Sequence, residues 1–158
     1  MVVPIADELI QKVHHVAELY HRLVLIVGPT GTGKTTALQK VQLATNAPLI
    51  NVNLDLSREM LELTQRQRAL QLPRLLSEIV TATNSAVVLF DNIEMIFDVS
   101  LQQDPLRLML DLSRNTTIVA AWNGNTNDHY LTYASPGHPE YRQYPLRGFV
   151  FVCAHKND

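Results

Sequence analysis

Cysteine is almost absent: the 158-residue chain has only Cys153, which excludes an intrachain disulfide framework and any cysteine-based zinc site. Long apolar runs are missing as well. The longest, Leu23–Val27, falls far short of the ~20 residues that a membrane span needs. Met1 to Glu8 holds two acids and no basic cluster, unlike a secretory signal. Excess charge of one sign is lacking too. The 13 Lys and Arg face 15 Asp and Glu, a net of −2, so a whole-protein basic field for nucleic acid is excluded and only a local patch is left open. These absences lead us to expect a soluble cytoplasmic protein in a reducing compartment, with no membrane partner.

The remaining composition, 46% hydrophobic and 18% charged, suits one domain over residues 1–158 with a core of its own. Apolar residues at helical spacing (Val13, Val16, Ala17, Tyr20) predict a helix over 5–20, within an N-terminal segment 1–21. Short apolar runs predict strands at 23–27, 49–54, 86–90, 117–121 and 149–153. Helices are expected between them, at 34–45, 57–70 (capped by Ser57), 73–84 (opened by Pro73) and 105–115 (capped by Asp104 ahead of Pro105). Strands alternating with helices in this way predict an α/β fold, a parallel sheet covered on both faces in a three-layer αβα arrangement. Residues 124–148 carry no clear period and read as a long irregular loop before the last strand.

The chemistry starts at Gly28-Pro29-Thr30-Gly31-Thr32-Gly33-Lys34-Thr35-Thr36, which fits the G-x-x-x-x-G-K-[ST] pattern between a buried strand and a helix. Glycines let the backbone curl so that several N–H groups point at a phosphate, and the helix that follows adds the positive end of its dipole. Lys34 then reaches the β- and γ-phosphates of ATP, and the Thr35 hydroxyl ligates Mg²⁺. Asp91 ends the third strand, where a carboxylate faces the ligand crevice and can hold Mg²⁺ through water; its competing role is a helix N-cap. Glu94, three residues on, either orients the attacking water or completes a capping-box-like pair with Asp91, because the position next to Asp91 is Asn92. Asn123 emerges beside the γ-phosphate if its strand inserts between the first and third; otherwise Asn123-Gly124 is a tight turn. The insertion implies a five-stranded, mostly parallel P-loop NTPase sheet in the order 5-1-4-3-2.

Taken together, these features resemble the AAA+ or STAND group of P-loop ATPases. More narrowly, Gly28–Thr36, Asn51–Ser57, Phe90–Phe97, Asp104–Leu106, Ser113–Gly124 and His138–Tyr141 resemble the BrxF family, the small P-loop proteins of type 3 BREX bacteriophage-exclusion systems. That resemblance implies a bacterial cytoplasm and an ATP-dependent role in phage defence. It also implies partners from the same system, including a larger ATPase and a DNA methyltransferase, with DNA met directly or through them. With only five residues after the fifth strand, we expect no C-terminal helical lid, a departure from full AAA+ proteins. A neighbouring subunit of a homo-oligomer would then cover the nucleotide, and Arg142 and Arg147 lie where such relatives present an arginine finger. The competing role for each is a surface arginine bonded to loop carbonyls. Two other functions stay open: a nucleotide-gated binding module with little hydrolysis, and a small-molecule kinase.

Overall fold

In the computed structural model, which describes residues 3–154, the first apolar run becomes the centre of the fold. The strands are β1 (Leu23–Gly28), β2 (Leu49–Asn51), β3 (Val87–Asp91), β4 (Thr117–Thr126), β5 (Tyr130–Tyr133), β6 (Arg142–Pro145) and β7 (Val150–Cys153). The helices are α1 (Ile5–Val16), α2 (Lys34–Thr45), α3 (Val52–Met60), α4 (Gln65–Ala82) and α5 (Pro105–Leu112). Every residue of β1 is buried. Leu23, Leu25 and Val27 face a core shared with α3, α4 and α5, while Val24 and Ile26 face one shared with α1 and α2. A strand covered on both faces has no use for polar alternation, which is why it reads as a continuous apolar run.

The parallel strands run in the order β2-β3-β4-β1-β7, so the expected insertion of the Asn123 strand between the P-loop strand and the Asp91 strand is correct. The register sets Gly28 opposite Asn123 across β1 and β4, and Asn51 opposite Asp91 across β2 and β3. Gly28, Asp91 and Asn123 are thereby brought to one end of the sheet. Among the described residues, no helix is long and apolar enough to cross a membrane.

The structure corrects the expected elements in several places, and the strand expected over 49–54 stops at Asn51, where the chain turns into α3. Residues 124–148 are not one continuous irregular loop, and among the described residues the connected sheet has seven strands rather than five: β4 runs on to Thr126, and β5 and β6 add an antiparallel hairpin to its end. Asn123-Gly124 is consequently mid-strand and not a turn. The helix boundary lies near residue 62 rather than 71. Asn51 caps α3 by accepting from the Leu54 N–H at 3.1 Å, Ser57 is mid-helix, and Thr64 with Gln67 forms the capping box of α4. Pro73 lies inside α4 instead of opening it. A proline there has no N–H to give the carbonyl four residues back; the Gln103 side chain donates to that carbonyl, on Ala69, at 2.8 Å. The N-terminal helix ends at Val16, and residues 1–2 and 155–158 of the expected single domain lie outside the described residues.

Candidate functional site

The phosphate loop connects β1 to α2. Gly31 and Gly33 have φ of 84° and 82°, left-handed conformations that side chains resist, so the curl depends on glycine at both positions. Thr32 closes the turn by donating to the Pro29 carbonyl at 2.7 Å. Lys34 is the first residue of α2 and only 6% exposed. Its Nζ donates to the Gly28 and Pro29 carbonyls at 2.7 and 2.6 Å and to Thr32 Oγ1 at 3.3 Å. Burial lowers the Lys34 pKa from its ordinary value, while the charges of Glu94 and Asp91 push it back up. The ammonium is thus stored against the loop's carbonyls beside the space a phosphate would fill.

Asp91, at the end of β3, is buried. Its carboxylate accepts from the Thr35 hydroxyl at 2.7 Å and from the Asn92 N–H at 3.0 Å. A hydroxyl and a carboxylate held together at a phosphate loop form the hard oxygen pair that suits Mg²⁺. Asp91 does not cap a helix. Asn92 takes a left-handed φ of 52°, and the chain turns into a short 3₁₀ helix, Glu94–Phe97, whose N-cap Ile93 contributes no side-chain bond. Asn53 pins this turn on two sides: its N–H donates to the Asn92 carbonyl at 2.8 Å, and its Oδ1 accepts from the Met95 N–H at 2.8 Å. The turn returns Glu94 to the cleft despite its three-residue offset from Asp91. Burial, with a lesser push from Asp91, raises the Glu94 pKa above its ordinary value.

Gly31, Lys34, Thr35, Asp91, Glu94 and Asn123 line one cleft of about 310 Å³ together with Thr30 and Gly33. A second cleft of about 530 Å³ opens beside it and shares Thr30, Glu94 and Asn123. Thr36 lies on the exposed part of α2's first turn and lines neither cleft. Gly28 is buried at the end of β1, and Pro29 borders the second cleft. The candidate arginines are placed elsewhere. Arg142, in β6, donates to the Gln103 carbonyl at 2.8 Å, Arg147 is exposed before β7, and neither lines a cleft with Glu94.

The sequence reading missed Asn53 and the aromatic group under the site. Trp122, 0% exposed, sits edge-on to Phe97 and Tyr133 and so is no platform for a base. The four residues Tyr130–Tyr133, of which Leu131 and Tyr133 are buried, are too short and too evenly apolar for their alternation to be read from sequence.

The model of the ATPase family associated with various cellular activities (AAA) matches residues 24–130, from β1 through the first residue of β5. No curated protein matches the chain. Among solved structures, that of C. elegans PCH-2 is 17% identical, with a TM-score of 0.41, over 94% of this chain and 40% of its own. The chain therefore spans about two fifths of that protein's length. With a phosphate loop, a strand-end carboxylate and an inserted polar strand in one cleft, and with the family match running across all three, the chain belongs to the AAA family of ATPases.

Proposed function

We propose that this chain binds ATP with Mg²⁺ in the Lys34 cleft and hydrolyses it, slowly when isolated. The supporting observation is the convergence of Lys34, Thr35, Asp91, Glu94 and Asn123 on a single cleft at the end of the sheet. In this reading the loop amides and Lys34 bind the phosphates, and Thr35 with Asp91 holds Mg²⁺, which supplies charge neutralisation when bound. Glu94 orients the attacking water and takes its proton, and its raised pKa suits a base working closer to neutral pH. The Asn123 side-chain amide directs that water toward the γ-phosphate. The cleft is open to solvent, and wet charges stabilise a transition state poorly. A second copy or a partner that covers it would raise turnover, with Arg142 or Arg147 supplied from next door in the homo-oligomer.

The wider role we propose is an assembly or switch component of a bacterial phage-defence (BREX) complex acting on DNA, alongside a larger ATPase and a DNA methyltransferase. The sequence resemblance of Phe90–Phe97 and Ser113–Gly124 supports that role.

Phosphate release by wild type, Lys34→Ala and Glu94→Gln tests the enzymatic claim. Both variants should lose release, with Glu94→Gln keeping nucleotide affinity; equal rates in all three would remove the claim. Asn92, in the place next to Asp91 where many such ATPases carry the base, favours one alternative: a nucleotide-gated binding module. That module would assemble equally well with a non-hydrolysable analogue, whereas assembly sustained only by ATP would end it.

A further inference from the structure

The residue proposed to orient water stands on a structure with little intrinsic strength. Glu94 opens a four-residue 3₁₀ helix ending at Phe97, and such helices have poor hydrogen-bond geometry and depend on what packs around them. Asn53 holds one side of the turn. The other side is held by aromatic rings. Phe97, 1% exposed, lies face to face with Tyr133 of β5, ring centroids 3.5 Å apart and planes at 8°. Trp122 meets the edges of both, at 5.2 Å and 5.9 Å, and its Nε1 donates to the Thr132 carbonyl at 2.9 Å.

The hairpin carrying Tyr133 is seated firmly. At Gly124 a side chain would collide with the Thr132 backbone carbonyl, so β4 and β5 approach each other as only glycine allows. At the far end of the hairpin, Tyr144 in β6 donates its hydroxyl to Asp104 at 2.9 Å. Tyr133 is 6% exposed, and its remaining surface borders the 530 Å³ cleft together with Glu94 and Asn123. Burial, with the charges of Glu94 and Glu140, keeps the hydroxyl protonated.

We propose that Tyr133 is a positioning residue for Glu94, acting through the flat stack of its ring on Phe97. The proposal rests on the reading of Glu94 as the group that orients water. It adds that a hairpin beyond the nucleotide-contacting strands decides where that carboxylate points.

The test compares wild type, Tyr133→Leu and Tyr133→Phe by ATP turnover per folded molecule, nucleotide affinity, and amide hydrogen exchange of residues 94–98. Tyr133→Leu should lower kcat about tenfold with KM and affinity within about twofold, since a misplaced catalytic group costs rate more than binding. It should also speed exchange over 94–98. Tyr133→Phe, which keeps the flat ring, should restore both. Should Tyr133→Leu not fold, Tyr133→Met keeps the apolar bulk without the flat face and carries the same expectations. Unchanged turnover and exchange in a folded variant would overturn the proposal, as would a loss that Tyr133→Phe does not repair. If wild type has no turnover, the hydrolytic reading of Glu94 fails on its own, and exchange over 94–98 alone decides whether Tyr133 holds the turn.

Discussion

Glu94 and Lys34 carry opposite charges into the same cleft, and burial works against both. For Glu94 the folded chain binds its proton more tightly than the unfolded chain does. Its contribution therefore favours folding below the ordinary carboxylate range and becomes unfavourable as pH rises through the raised pKa. Glu94→Gln should melt above wild type near neutral pH, with the gap closing as pH falls toward about 4. In the proposed mechanism Glu94 acts deprotonated, so the rate should fall on acidification with a midpoint above the ordinary value of about 4.3. Thermal melts and initial rates across pH check both; a rate midpoint at or below that value would show that Glu94 is not the titrating base. At this scale the sequence was informative wherever a pattern specifies backbone chemistry. Gly28–Thr35 stood out because a loop that curls in this way needs glycine at set positions, and Asp91 because it ends an apolar strand, its role left open between metal ligand and helix cap. Asn53 did not, because its role depends on a turn that β3 delivers from about forty residues further along the chain.

Among the elements, α4 shows how a local rule gives way to a tertiary partner. Pro73 ordinarily costs a helix interior about 3 kcal/mol. Here the freed Ala69 carbonyl is taken by Gln103, from the loop ahead of α5. Gln103→Leu should destabilise the chain by roughly 0.5–1.5 kcal/mol, the usual value of one such bond, measured by urea unfolding. No loss would mean that water replaces the amide. The same dependence on distant partners explains what could and could not be read. β1, β3 and the first half of β4 were legible because burial on both faces leaves an unbroken apolar run. The β5–β6 hairpin was not. Its strands are four residues each, and β6 (Arg-Gln-Tyr-Pro) buries no residue fully, so its pattern carries almost no hydrophobic period. The register of Gly124 against Tyr133 exists only once β4 has been placed.

For the molecule as a whole, the two cores meet across the parallel strands, and the candidate site sits where the C-terminal ends of β1 and β3 flank Asn123 in the middle of β4. A ligand bound there ties together elements from distant parts of the chain, so binding should register in global stability. At a nucleotide concentration of 100 times Kd, linkage adds about 2.7 kcal/mol, or roughly 5–10 °C in Tm for a domain of this size. ATP with Mg²⁺ should produce such a shift in wild type and Glu94→Gln but not in Lys34→Ala, as differential scanning fluorimetry would show. An equal shift in Lys34→Ala would place the nucleotide elsewhere.

Trp122 is the sole tryptophan of the chain, and it is sealed from water one residue before Asn123 and edge-on to the rings that hold the Glu94 turn. Indole emission from the unlabelled protein therefore originates at a single point, in contact with Phe97 of the Glu94 turn. The molecule carries its own optical gauge there, and stopped-flow fluorescence can separate the arrival of nucleotide from any later rearrangement of the hairpin.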